Sequence, residues 1–226
     1  MPTRIDPAQI PAAPDLRFEE CLWQQGLLRV AGLDEAGRGA WAGPVVAGAV
    51  ILPVEEAILQ TLKGVRDSKE LTPERRSELA PVIHEAALAW AVGECSAEEI
   101  DTIGILPATR LAMQRALRQL QIEAQHLLID ALFLPDEDSP QTALIKGDQR
   151  SLSIAAASIL AKTHRDAWMI ACEQEYPQYG FARHKGYGTK LHQECLKQNG
   201  PCAIHRRSYA PVKQVIEDIK VRIISI

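Results

Sequence analysis

The sequence predicts a mixed α/β sheet flanked by helices, with a helical extension at its C-terminus. Three observations predict it. Short apolar runs that read as strands come first and in the middle of the chain, helical patterns alternate with them, and helical or irregular sequence finishes it. No internal repeat and no obvious linker interrupts residues 26–226, which read as one catalytic-size domain with a substrate-binding helical region at about 177–226.

The elements follow in order. L-L-R-V-A-G-L-D (27–34) and P-V-V-A-G-A-V-I-L (44–52) read as mostly buried strands, joined by a glycine-rich connection that suits a hairpin. L-T-P-E-R-R-S-E-L-A (71–80) opens a helix, with Thr72 as N-cap, Pro73 in the first turn and Glu74 behind it. A-L-A-W-A-V-G-E-C (87–95) is a third strand, and S-A-E-E-I-D starts a short helix. From Pro107 to Gln121 the pattern is helical, with Met113, Ala116, Leu117 and Leu120 on one face. H-L-L-I-D-A (126–131) and T-A-L-I-K-G-D (142–148) are two further strands, and a long helix runs from about Ser153 to Tyr176. P-Q-Y-G-F-A-R-H-K-G-Y-G-T (177–189) is a basic loop with glycines and aromatics.

Composition excludes several classes. Hydrophobic residues make up 46% and charged residues 24%, as in ordinary globular proteins. No apolar run reaches the roughly 20 residues that span a bilayer. The first 15 residues contain four prolines and no apolar h-region, so residues 1–25 read as a disordered leader. Five scattered cysteines without a C-x-x-C favour reduced thiols in a cytoplasmic protein. The net charge of −4 hides an asymmetry: residues 162–226 carry 11 Lys and Arg against 6 Asp and Glu, a balance of +5 that leaves −9 for the first 161. A basic face of that kind can hold a phosphate backbone.

Acids close two of the strands. Asp34 and Asp130 each end an apolar run, and carboxylates side by side in one sheet raise one another's pKa unless a cation compensates. Such oxygen donors suit Mg²⁺ or Mn²⁺. Glu35 follows Asp34 directly. In a continuing strand the two would point to opposite faces, but a strand ending at Asp34 lets the turn A-G-R-G bring both to one site. Gly37 and Gly39 allow backbone to approach a ligand closely. On the long helix, Ser158, Lys162, Arg165, Asp166 and Met169 fall on one stripe. They read either as a line of donors and an acid facing a cleft or as an ordinary Lys162–Asp166 ion pair.

These residues resemble the bacterial ribonuclease HII family. Eight segments match in family order: V-A-G-L-D-E-A-G-R-G (30–39), G-P-V-V-A-G-A-V-I-L (43–52), D-S-K-E-L (67–71), L-L-I-D-A (127–131), A-A-A-S-I-L-A-K (155–162), R-D (165–166), F-A-R-H-K-G-Y-G-T (181–189) and H-R-R-S-Y-A-P-V (205–212). Ala40-Trp41 stands where Pro-Leu is more usual, and the first 25 residues have no counterpart.

The resemblance implies an RNase H-like fold and an endonuclease that cuts RNA in RNA–DNA hybrids and at single ribonucleotides embedded in duplex DNA. It implies 3′-hydroxyl and 5′-phosphate products. Asp34, Glu35 and Asp130 match the metal-binding acids, with Asp34 expected to bridge two ions, and Asp166 matches the fourth acid. Gly37, Arg38 and Gly39 match the segment that grips the backbone around the ribonucleotide, and Tyr187 the tyrosine that stacks on the sugar at the junction. Lys69, Ser158, Lys162, His184, Arg207 and Ser208 match as contacts to the nucleic-acid backbone. Nothing in the sequence requires a membrane or an oligomer, so a monomer is expected. A transposase- or exonuclease-like activity on a related fold and a non-catalytic binding module are the competing readings. The R-D and K-G-Y context disfavours the first, and the full set of three acids disfavours the second.

Overall fold

The computed structural model describes residue 6 and residues 10–224, with side chains to residue 221. Among these residues a five-stranded sheet has the order β3-β2-β1-β4-β5. Its strands are β1 (Val30–Ala36), β2 (Val45–Ile51), β3 (Ala89–Cys95), β4 (His126–Asp130) and β5 (Gln141–Leu144). β2 runs antiparallel to β1, β4 runs parallel to β1 on its other side, and β5 is parallel to β4. The helices are α1 (Arg17–Trp23), α2 (Ile58–Thr61), α3 (Pro73–Ala86), α4 (Ala97–Ile103), α5 (Ile105–Gln119), α6 (Leu152–Ala171), α7 (Phe181–His184), α8 (Lys190–Asn199) and α9 (Ala210–Ile224).

Local signals place several of these ends. The Thr72 hydroxyl accepts from Arg75 N with Pro73 in the first turn of α3. Ser96 and Glu99 form a reciprocal capping box at the start of α4.

The chain forms two compact units, one of Met1–Ala36, Val46–Glu94 and Arg110–Thr163, the other of Gly37–Val45, Cys95–Thr109 and His164–Ile226. The second is therefore wider than the C-terminal region 177–226 expected from sequence, because it takes in the G-R-G segment and α4.

In the first unit α6 lies directly on sheet backbone. A Cβ on Gly32 would sit 2.2 Å from the Ser153 carbonyl carbon, and one on Gly48 would sit 2.4 Å from the Ala157 oxygen. Side chains two apart on a strand share a face. The face of β1 that admits α6 at Gly32 is therefore the face that carries Asp34, whose partner in register is Gly48. Around this contact Val50, Leu52, Leu79, Ile83, Ile159 and Leu160 form one buried cluster.

Two expectations are corrected. β1 does not stop at Asp34 but continues through Glu35 and Ala36, which pair with Ala47 and Val46. The ladder to β2 extends it, and side chains alternate along it, yet Glu35 stays near enough to Asp34 and Asp130 to raise the pKa of each. The leader is not disordered over its described second half: Leu16 is buried, Arg17–Trp23 is helical, and Glu19 is fully buried. Glu19 Oε1 accepts from Ser151 Oγ (2.6 Å), Ser153 Oγ (2.6 Å) and Ser153 N (3.0 Å), which ties α1 to the start of α6. The rest of the leader, residues 1–5 and 7–9, lies outside the described residues.

Gly32→Ala is expected to destabilise the protein by about 1–3 kcal/mol, the usual scale of overpacking where neither backbone can yield. Urea unfolding measures it; an unchanged midpoint contradicts the close helix–sheet approach.

Candidate active site

The parallel pairing of β1 and β4 ends at Leu33–Ile129, so the next residues, Asp34 and Asp130, stand level on adjacent strands at their C-terminal ends. In open α/β sheets this is where ligands bind, at the point where connections diverge to opposite sides. Asp34 is 2% exposed. Its Oδ1 accepts from Glu35 N (2.7 Å), and its buried Oδ2 has no hydrogen-bond partner among the described residues. Asp130 Oδ1 accepts from Gly147 N (2.6 Å).

Two further acids join them. Asp148, 3% exposed, follows Gly147 in the turn after β5, and Asp67 caps the short 3₁₀ turn Ser68–Glu70 by accepting from Lys69 N (3.0 Å). Lys69 Nζ lies 3.3 Å from Asp148 Oδ2 and 3.6 Å from Asp67 Oδ1. Arg76, itself buried, fixes that turn by donating to Ser68 O (2.8 Å) and Leu71 O (2.7 Å).

Burial and mutual repulsion shape the protonation of this cluster. Asp34 is raised well above the ordinary aspartate range, first by burial and then by Glu35, Asp130 and Asp148. Asp130 is pushed up to about 6 by burial, against the Gly147 N–H, with Glu35 raising it and Lys69 lowering it. Asp148 also rises to about 6, through burial, Asp130 and Asp67. Partial burial works against the Lys69 ammonium, yet Asp148, Asp34 and Asp67 leave its pKa raised overall.

These residues fit a hard divalent cation. The donors are carboxylate oxygens, and they repel one another. The buried Asp34 Oδ2 has no hydrogen-bond partner within bonding distance among the described residues, although Ser158 partly offsets the Asp34 charge. Among the described residues no three His, Cys, Asp or Glu side chains close into a complete ligand cage. An ion such as Mg²⁺ keeps several waters and takes one or two carboxylates together with substrate phosphate.

In the second unit two arginines are buried without a carboxylate in hydrogen-bond contact among the described residues. Arg165 donates to Pro44 O (2.9 Å), Ala42 O (3.0 Å) and Lys185 O (2.9 Å), and lies under the Tyr187 ring at 5.2 Å. Burial pulls its pKa down to about 10. Arg206 donates to Gly43 O (3.0 Å) and Arg38 O (2.9 Å), and the Tyr209 hydroxyl also donates to Arg38 O. Gly37 has φ +92°, and a Cβ there would meet Arg165 Nε at 2.0 Å. The glycine that opens G-R-G is thus required by the arginine of R-D. Arg38 and Gly39 are exposed, and Trp41 N donates to Gly186 O (2.8 Å), tying this loop to the one that carries Tyr187.

Not every residue expected at the site has a free face. Arg165 and Met169 pack inside the second unit rather than lining a cleft, since Arg165 serves backbone carbonyls and Met169 is buried with Tyr179 and Phe181. His184 is buried, its Nδ1 accepting from Gly186 N (3.1 Å) and its Nε2 facing Tyr179 O (2.9 Å), so it has no donor left for a phosphate. Ser158 is 1% exposed and donates to Ser68 Oγ (2.8 Å), which makes it a support for the D-S-K turn. Arg207 N, Ser208 N and Ser208 Oγ all donate to Asp101, leaving the exposed Arg207 guanidinium for a ligand. Lys162 and Asp166 are half-buried on α6. Asp67 and Asp148 were not among the expected residues. Asp148 carried the same signal as the others, an acid just past an apolar strand, in A-L-I-K-G-D.

The sequence pattern of the family described as Ribonuclease HII matches residues 31–212. The chain belongs to the ribonuclease HII family. Ribonuclease HII of Synechococcus sp. (strain JA-3-3Ab) is 53% identical over 202 residues, covering 89% of this chain and 90% of that one. Among solved structures, ribonuclease H2 from Pyrococcus horikoshii OT3 aligns with a TM-score of 0.68 at 29% identity, over 85% of this chain and 99% of that chain. Bst-RNase HIII, crystallised in complex with Mn²⁺, shares the fold with a TM-score of 0.67 at 22% identity, over 88% of this chain and 72% of that chain. As a ribonuclease HII the chain is a metal-dependent endonuclease acting on RNA–DNA hybrids and on ribonucleotides embedded in DNA.

Because Asp130 and Asp148 titrate near 6 when folded and near 3.8 otherwise, the folded metal-free chain holds extra protons between those values. Their contribution to stability is greatest below about 4 and is lost as pH rises through about 6. Asp130→Asn is therefore expected to gain stability relative to the parent across that window, read as the difference in urea midpoints without metal. A difference that stays flat with pH contradicts the shift.

Proposed function

We propose that the first unit cuts and the second reads. Asp34, Glu35 and Asp130 hold divalent cations, Mg²⁺ or Mn²⁺, and the chain hydrolyses a phosphodiester to leave 3′-hydroxyl and 5′-phosphate ends. The observation that carries this reading is the buried Asp34 Oδ2, without a hydrogen-bond partner among the described residues and level with Asp130 on the neighbouring parallel strand. A pair of such cations supplies an activated water and stabilises charge on the departing oxygen.

The chain's own groups do the rest. Gly147 N–H orients Asp130 through its Oδ1. Lys69, tethered to Asp148 and Asp67 but largely exposed, is placed to meet a substrate phosphate. In the second unit, the backbone of Gly37–Gly39, exposed at Arg38 and Gly39, reads the 2′-hydroxyl that separates RNA from DNA. Tyr187, steadied on the Arg165 guanidinium, stacks on the sugar at the junction. Arg38, Lys162 and Arg207 contact the nucleic-acid backbone, and the fourth-acid role of Asp166 rests on its R-D motif.

No helix of the described residues is long and apolar enough to cross a membrane. The free cysteines suit a reducing, cytoplasmic setting, and a monomer suffices for the activity.

With Mg²⁺ and a DNA duplex carrying one ribonucleotide, the protein is expected to cut beside it, and Asp34→Asn to abolish the cut. A cut that survives Asp34→Asn rejects the site. Tyr187→Ala is expected to impair this substrate about tenfold more than a long hybrid, the scale of one lost aromatic stack. Equal loss on both rejects the junction role.

A further inference from the structure

The second unit buries three histidines that the reaction does not use. His192 is fully buried, His205 is 1% exposed and His184 7%. The rings of His184 and His192 stack at 4.3 Å and 12°. Their hydrogen bonds account for them.

Those bonds determine where each proton sits. A neutral imidazole has one donor and one acceptor nitrogen. Cys202 N can only donate, and it lies 3.0 Å from His205 Nδ1, with Cys202 Sγ at 3.1 Å. His205 therefore carries its proton on Nε2, which faces His192 Nε2 at 3.0 Å. His192 Nε2 must accept, so its proton is on Nδ1, 3.0 Å from Tyr187 O. The same logic gives His184 a proton on Nε2, because Gly186 N fills its Nδ1. One directed chain thus runs from Cys202 N–H through His205 and His192 to the Tyr187 carbonyl.

The end of that chain is a demanding piece of backbone. Lys185 has φ +51°, Gly186 +79°, and Gly188 packs so closely on Trp41 that a Cβ would lie 2.2 Å from its indole. Tyr187 O receives one local bond, from Thr189 N (2.8 Å), and one from outside the turn, from His192. His192 also packs on Trp41 at 5.4 Å, the residue just beyond G-R-G. Burial drives His192 down to about 4 and His205 to about 3, which keeps both neutral near neutral pH and the direction of the chain intact.

We propose that His192, directed by His205, is a positioning residue that sets the Tyr187 backbone and thereby the enzyme's preference for RNA-to-DNA junctions over long hybrids. This rests on the junction role of Tyr187 given above.

Two measurements test it. Long-range ¹H–¹⁵N NMR of the histidine-labelled full chain at neutral pH is expected to find His184 and His205 protonated on Nε2 and His192 on Nδ1. A His192 proton on Nε2 overturns the wiring, and this readout needs no variant. The second compares His192→Leu with His192→Asn, whose amide retains a donor for Tyr187 O. His192→Leu is expected to lower the ratio of single-ribonucleotide to long-hybrid cleavage about tenfold, the effect of one lost hydrogen bond. His192→Asn should restore most of that ratio. Tyr187→Ala separates the two ideas. If it lowers the ratio and a folded His192→Leu does not, the relay is wrong; if it leaves the ratio unchanged, the junction role of Tyr187 is wrong.

Discussion

The structure depends on a repulsion. Asp34, Glu35, Asp130 and Asp148 crowd the ends of two parallel strands and the turn after a third, where burial alone makes a carboxylate costly. Lys69 offsets part of this through Asp148 and Asp67. The repulsion that remains is what a divalent cation held there, as proposed, would relieve. A cluster relaxed by salt bridges on every side would fold better and bind metal worse.

Holding acids against repulsion requires rigid surroundings. β1 supplies them, central in the sheet and pressed at Gly32 and Gly48 against the backbone of α6. Strain gathers at the same places. The non-glycine residues with positive φ among the described ones are Ala131, Lys146 and Lys185. They flank Asp130, the Gly147–Asp148 turn and the Tyr187 loop. Such backbone persists only where neighbours over-determine it. In the second unit the neighbours are buried arginines and histidines bonded to carbonyls, so that charge is spent on shaping loops rather than on meeting carboxylates.

Much of this was legible in the sequence. Acids that follow apolar strand sequence, the Thr72–Pro73 helix start and the D-E-A-G-R-G segment each carry a local signal, and local signals survive folding. What failed was non-local. Glu19 is held by serines more than 130 positions away, so nothing near residues 1–25 announces that half of that stretch is anchored. Arg165 and His184 resemble ligand contacts by residue type and neighbourhood. Only tertiary packing turns them inward, and only the fold brings Asp67 and Asp148 to Lys69.

The most direct measure of the central claim is the melting temperature of the parent and Asp34→Asn, each with and without Mg²⁺. Removing one charge from a repelling cluster should raise the melting temperature of the metal-free variant above the parent, while Mg²⁺ should stabilise the parent and have little effect on the variant. A variant that melts lower than the parent, and gains as much from Mg²⁺, contradicts a site built on carboxylate repulsion that a cation relieves.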